Sequence, residues 1–295
     1  MMSFVSTALK GFAMGAANVV PGVSGGTVAL VTGIYSDIVS SLNAFTSREV
    51  WKDFFAGRFA SFWKGINGSF LIALCAGVLL SVFSLAKAVT LSLEFYPILV
   101  WAFFFGLIVA SSVPMFRSVG RWSWKEVVFA LAGAALGVFV CTMTPTTTPD
   151  SAWFLFVCGA IAICTMILPG ISGSFVLLIL CKYDMVMEAV SSLDWGVLGV
   201  FGAGCVVGIL LFAKLLHALL SKWEKATMLV LLGFVMGSLV RVWPWADKAA
   251  GLAAQVRRGA DPSAPLDLQI PGAVLCCIAG AALVAVLEFA GKKKK

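Results

Sequence analysis

The sequence predicts an all-α polytopic membrane protein made of two inverted repeats. Each repeat is a re-entrant helical hairpin broken at a Pro-Gly-x-Ser-Gly motif and followed by three transmembrane helices. Three observations carry this reading. First, the 295 residues are 61% apolar and 12% charged, with a mean hydropathy of +1.02; soluble domains are about half apolar and roughly a quarter charged. Second, charge-free intervals run over 11–36, 65–86, 95–116, 127–149, 151–181, 195–213, 226–240 and 268–287. Most reach or approach the ~20 residues that a helix needs to cross the hydrocarbon core. Third, an unusual polar motif occurs twice. A membrane barrel would instead show sustained short-range alternation, which is absent from the sequence.

The motif interrupts two of these intervals. "NVVPGVSGGTVAL" fills 18–30 and "MILPGISGSFVLL" fills 166–178. Pro21, Gly22, Ser24, Gly25, Val28 and Tyr35 all recur 148 positions later. Other segments repeat in the same order: "AGVLLSVFSLAK" at 76–87 with "AGCVVGILLFAK" at 203–214, "FFFGLIV" at 103–109 with "FVMGSLV" at 234–240, and "AGAAL" at 132–136 with 279–283. The chain therefore divides into repeats 1–147 and 148–295 within one membrane domain, joined near "TPTTTPD" (144–150).

Pro and Gly break a helix by removing an amide donor and loosening the backbone. The arms on either side of each break, roughly 15–18 residues, are short for full crossings. Each motif is thus expected to enter and return on one side. Three crossings follow in each half, and an odd number inverts the second half. With the N-terminus inside, 15 of the 21 basic residues fall on the cytoplasmic side, among them Arg48, Lys52, Arg58, Lys64, Lys214, Lys222 and Lys225. That is the expected bias of Lys and Arg. The N-terminal stretch has no basic region ahead of an apolar core and is interrupted by Lys10, which argues against a cleaved signal peptide.

Irregular backbone at membrane depth survives where protein buries it or where it lines a cavity. Two inverted broken segments meeting near the midplane are a recurrent transporter arrangement. A helix is expected to restart at about Thr27 and at about Ser174, with unpaired amides at the positive end of its dipole. Gly25, Gly26 and Gly173 permit close approach to the backbone, and Ser24, Thr27, Ser172 and Ser174 offer hydroxyls. With Asn18, Pro21, Gly22, Pro169 and Gly170, they form the candidate substrate site, suited to phosphate or carboxylate. The competing account is a Pro kink with capping hydroxyls. Arg117 and Arg241, near Pro114 and Pro244, are candidate partners of the anion, against the alternative of ordinary snorkelling arginines. Tyr35, Asp37, Tyr183 and Asp184 are candidates for coupling to a proton or sodium ion, against simple interfacial anchoring.

Other chemistry is unsupported. The eight cysteines match no zinc spacing and suit membrane-buried small hydrophobes. No metal, cofactor or nucleic-acid partner is expected, because a net charge of +7 in a membrane protein reflects cytoplasmic loops and anionic lipid. The single histidine, His217, and the lack of an acidic cluster at the motifs argue against a lipid-phosphate enzyme. A carrier or channel for a small soluble anion would use the same amides and hydroxyls and is the main alternative.

The two motifs, with "GIY" at 33–35 and "YD" at 183–184, resemble the bacterial polyprenyl-phosphate transporter family of PopT-like proteins, over nearly the whole chain. The resemblance implies a multi-pass protein of the bacterial inner membrane. It would return undecaprenyl phosphate from the outer to the inner leaflet for cell-wall biogenesis, by alternating access around a midplane phosphate site. Its partners would be that lipid and surrounding membrane lipids; a homo-oligomer is a separate candidate that the sequence leaves open. One departure is visible: Cys181 and Lys182 precede Tyr183 where a Gly and an apolar residue are expected, which questions the electrostatics at the end of the second hairpin.

Overall fold

The computed structural model describes residues 4–19, 24–120, 122–145 and 148–292; Pro21 and Gly22 of the candidate site lie outside them. The described residues form fourteen helices and no strand. The first half holds α1 (Phe4–Val19), α2 (Gly25–Val31), α3 (Tyr35–Ala44), α4 (Arg48–Phe55), α5 (Phe59–Gly65), α6 (Gly68–Phe95), α7 (Pro97–Ser118) and α8 (Trp124–Cys141). The second holds α9 (Ala152–Ile167), α10 (Gly173–Ile179), α11 (Tyr183–Ser192), α12 (Trp195–Val242), α13 (Lys248–Arg257) and α14 (Ile270–Lys292). The helices α6, α7, α8 and α12 are long and apolar enough to cross a membrane, and α9 is a shorter apolar helix. The chain is a polytopic helical membrane protein.

The bounds of α9, α10 and α11 equal those of α1, α2 and α3 shifted by 148 residues. In each trio the return arm is split, which the apolar pattern did not indicate. Gly33 and Cys181 stand at equivalent positions with φ of 71° and 51°. Left-handed backbone costs a glycine little, but crowds the Cβ of cysteine by roughly 1 kcal/mol or more. The short helices also begin earlier than expected, at Gly25 and Gly173. Ser24 and Ser172 hold extended N-cap backbone there, the conformation that lets a serine end a break and start a helix.

Helix α12 contains a joint. Trp223 has φ −136° and ψ 50° inside it, and Tyr96, between α6 and α7, has φ −137° and ψ 50°. The two aromatic joints lie 127 positions apart, so α12 comprises the counterparts of both α6 and α7.

Packing separates the chain into two compact units, Met1–Ser81 with Met143–Met228, and Val82–Thr142 with Leu229–Lys295. Each draws on both halves of the sequence. In the first unit, a Cβ on Gly77 would lie 2.0 Å from the Ala8 carbonyl oxygen, and one on Gly204 would lie 2.0 Å from that of Phe156. Likewise Gly11 meets the Leu74 carbonyl at 2.3 Å and Gly159 meets that of Phe201 at 2.2 Å. These contacts correspond at offsets of 148 and 127, and they bring α1 onto α6 and α9 onto α12 backbone to backbone. Glycine is required because lipid tails supply no hydrophobic drive between helices, leaving close packing to hold them.

In the second unit the partners are exchanged. Gly106 of α7 abuts Cys277 of α14, and Gly280 of α14 abuts Phe103. The matching pair is α8 with the latter part of α12, through Gly133 against Val230 and Gly233 against Ala130. The structural counterpart of Gly106 is therefore Gly233, one turn before the Gly237 that the "FFFGLIV" match indicates. Ile98, Ala102 and Ala273 form one buried cluster of this unit, covered by Leu99, Trp245 and Leu266. Arg258 lies over the Tyr96 ring at 5.1 Å, tying the end of α13 to the joint before α7.

Candidate functional site

The two motifs meet in the first unit, where α2 packs against α9. The Ser24 hydroxyl donates to the Leu168 carbonyl at 3.0 Å and accepts from the Gly26 N–H at 3.1 Å. The Thr27 hydroxyl oxygen accepts from the Gly170 N–H at 2.8 Å. Ser24 and Thr27 are each 1% exposed. A Cβ on Gly26 would lie 2.6 Å from the Ile167 carbonyl oxygen, so the tips touch without room for a side chain. Gly170 has φ 98°, which lets the second break turn back on itself. Within the first hairpin, Asn18 Oδ1 accepts from the Gly25 N–H at 2.7 Å, bridging the break between α1 and α2.

The second motif is used differently. Ser172 makes no side-chain cap bond to α10; it pairs instead with Ser174, oxygen to oxygen, at 2.7 Å. Both are half-buried. Two hydroxyls carry two protons and their mutual bond consumes one, so the pair retains a proton to donate. The counterpart of Asn18 is Met166, which is exposed and offers Gly173 no comparable acceptor. The counterpart of Thr27 is Phe175, which is buried. The motif residues thus divide by environment: Asn18, Ser24 and Thr27 bond to backbone groups, while the half-buried Ser172 and Ser174 bond to each other.

The bases of the hairpins carry lysines whose partners the residue types do not reveal. Lys10 Nζ donates to the Thr32 carbonyl at 2.7 Å, just past α2. At the equivalent point of the second hairpin the Thr148 hydroxyl donates to the Leu180 carbonyl at 2.6 Å. Both satisfy carbonyls that a helix end leaves unpaired. Lys182, 2% exposed, pairs with the Asp150 carboxylate and donates to the Thr148 carbonyl at 3.3 Å. The departure noted at Cys181–Lys182 therefore adds no bare charge at the end of the hairpin. A buried ammonium persists only with such partners.

Tyr35 is 2% exposed and its hydroxyl has no hydrogen-bond partner among the described residues. Tyr183 packs against the cluster of Cys158, Ala162 and Leu177. Asp37 is half-buried and attracted by Lys10, whereas Asp184 is exposed in the first turn of α11. The two acids are not equivalent, because Asp37 is the third residue of its helix and Asp184 the second. Arg117 and Arg241 are exposed and belong to the second unit, not to the unit that holds the motifs.

Comparison with known proteins covers most of the chain. A family described as undecaprenyl phosphate translocase-like (VCA0040-like) matches residues 14–258. A polyprenyl-phosphate transporter of Vibrio cholerae is 41% identical over 248 residues, spanning 83% of this chain and 80% of the relative. A polyprenyl-phosphate transporter of Staphylococcus aureus is 32% identical over 255 residues, spanning 80% of this chain and 85% of the relative. No solved structure matches. With the paired motifs inside the matched span, the chain belongs to the undecaprenyl phosphate translocase-like family.

Proposed function

We propose that the chain carries a polyprenyl phosphate, undecaprenyl phosphate in particular, across the bacterial inner membrane from the outer to the inner leaflet. The observation that carries this reading is the half-buried Ser172–Ser174 pair at the tip of a broken hairpin. It retains a donatable proton beside a protein-braced partner motif, in a chain 41% identical to a polyprenyl-phosphate transporter. A phosphate head isolated in hydrocarbon is very unfavourable, whereas its tail prefers the bilayer. A carrier therefore needs only a polar path for the head. In this reading the second motif meets the phosphate and the first is the brace that holds it. Arg117 and Arg241 neutralise the head on its way, one toward each face, and Tyr35, Asp37, Tyr183 and Asp184 take part in coupling.

Alternating access follows if the halves are inverted repeats. Supporting this, α1 and α9 have sixteen residues each, about 24 Å of helix, against a hydrocarbon core of ~30 Å. The positive-inside bias points the same way. In a cysteine-free background, cysteine at Ala56 is expected to label only from the cytoplasmic side and cysteine at Ala260 only from outside. Labelling of both from one side would remove the inversion.

The transport test uses proteoliposomes and labelled undecaprenyl phosphate. Ser172→Ala with Ser174→Ala is expected to weaken binding of the lipid by about ten-fold or more, since a hydrogen bond to a charged group is worth ~1.5–3 kcal/mol. Excess inorganic phosphate is expected to compete poorly. Full transport by the double variant would dismiss the pair as the phosphate site. Efficient uptake of inorganic phosphate with no lipid movement would favour a soluble-anion carrier.

A further inference from the structure

The segment between α3 and α6 has no counterpart in the second half. Only residues 193 and 194 separate α11 from α12, whereas α4 and α5 fill the space after α3. Their sequences, REVWKDFF and FASFWKG, combine aromatic and basic residues. In α4 the apolar residues Val50, Trp51, Phe54 and Phe55 recur at helical spacing on one face, with Glu49, Lys52 and Asp53 elsewhere. The rings form a continuous cluster, Phe54 lying 5.0 Å from Phe62, 5.7 Å from Phe59 and 5.8 Å from Trp51. This cluster is not a core: Phe55 is 81% and Phe59 63% exposed.

The position of the cluster is set by α6. Trp63 Nε1 donates to the Ser69 hydroxyl at 3.1 Å, and a Cβ on Gly68 would lie 2.5 Å from the Trp63 ring. Gly68 begins a membrane-crossing helix. The aromatics are thus pinned to the end of a span, at the level where indoles and phenyl rings meet the headgroup layer. Beside them is an open groove of about 640 Å³, walled by Phe45, Trp51 and Phe55 and bearing Arg48 and Lys52. Trp51 is fixed there by its Nε1 donation to the Phe45 carbonyl at 2.7 Å. Arg58, between α4 and α5, is paired with Asp53 at 2.6 Å, and the groove's positive charge comes from Arg48 and Lys52.

We propose that α4 and α5 form an interfacial anchor, present on one face only, whose aromatics enter the headgroup layer and whose Arg48–Lys52 groove binds the phosphate of an anionic bilayer lipid. Apolar rings exposed beside paired cations suit that surface, since each Lys or Arg near an anionic leaflet adds attraction that salt screens. The inference rests on the polytopic membrane fold and not on carriage of polyprenyl phosphate. Its readout is retained lipid, so failure here leaves the transport reading untouched, and the reverse also holds.

The full-length protein is reconstituted in phosphatidylcholine containing a minor fraction of phosphatidylglycerol, and lipid retained after extraction is counted by native mass spectrometry. Arg48→Gln with Lys52→Gln is expected to reduce retained phosphatidylglycerol about ten-fold at low salt. Asp53→Asn with Arg58→Gln, which removes a neutralised pair, is expected to leave it unchanged. Arg48→Lys with Lys52→Arg retains it and reports that the segment remains folded. In parallel, lipids brominated near the headgroup are expected to quench wild-type tryptophan fluorescence more than that of Trp51→Phe with Trp63→Phe. Equal retention in the Arg48→Gln/Lys52→Gln protein would overturn the headgroup site. Quenching unaffected by loss of both tryptophans would overturn the anchor and point to a protein partner for the aromatic face.

Discussion

Replacing Gly77 by leucine is expected to cost the first unit several kcal/mol of stability, more than any surface change in the chain. A Cβ there meets the Ala8 carbonyl oxygen at 2.0 Å and the Phe12 amide nitrogen at 2.7 Å. Both are backbone atoms inside α1, so no rotamer change relieves the contact and α1 must move off α6. Overpacking a tight site usually costs ~1–3 kcal/mol, more where the backbone must shift. The equivalent Gly204→Leu is expected to act alike on α9 and α12, since its Cβ would stand 2.0 Å from the Phe156 carbonyl oxygen. Gly199, which has open space around it, is the control. Thermal unfolding in detergent checks the comparison. Equal behaviour of Gly77→Leu and Gly199→Leu would show that backbone contact between these helices is not what holds them.

The second large effect is expected where the hairpin tips interlock. Thr27→Val keeps the shape of the side chain but takes away the acceptor of the buried Gly170 N–H. An orphaned buried donor costs ~1–3 kcal/mol. Ser24→Ala removes the N-cap of α2 and the bond to Leu168, with a cap alone worth ~1 kcal/mol. The two substitutions loosen one junction, so their combined effect should depart from the sum by more than ~0.5 kcal/mol. Ser172→Ala and Ser174→Ala are expected to leave unfolding nearly unchanged, because among the described residues their hydroxyls bond to each other and not across the junction. The first motif would then be read out in stability and the second in ligand affinity. A destabilised Ser172→Ala with a stable Thr27→Val would reverse these assignments.

The contrast between the motifs shows what a sequence can and cannot reveal here. Spans and the two Pro-Gly breaks were legible, because charge-free length and Pro-Gly punctuation report directly on backbone solvation in lipid. The unequal use of the motifs was half legible. Met166 in place of Asn18 and Phe175 in place of Thr27 were plain to read, yet the partner of Ser24 is the carbonyl of Leu168, and a backbone acceptor leaves no mark on the residue type. The split in each return arm was hidden at Cys181, a residue that ordinarily avoids positive φ. The register of α7 against α12 slipped by one turn, since apolar residues facing lipid substitute freely for one another. Only the glycines constrain that alignment, and Gly233 and Gly237 both satisfy the text.

The exchanged pairing in the second unit has a consequence for biosynthesis. Gly106 on α7 finds its partner, Cys277 on α14, only about 170 residues later in the chain. While the ribosome is still supplying α9 to α13, the face of α7 built for backbone contact has nothing but lipid or other proteins against it. A close-packing face waiting in this way is open to pairing with the wrong neighbour, as partly made chains commonly are. Arrival of α14 is then the event that closes the unit, more than the insertion of any earlier span.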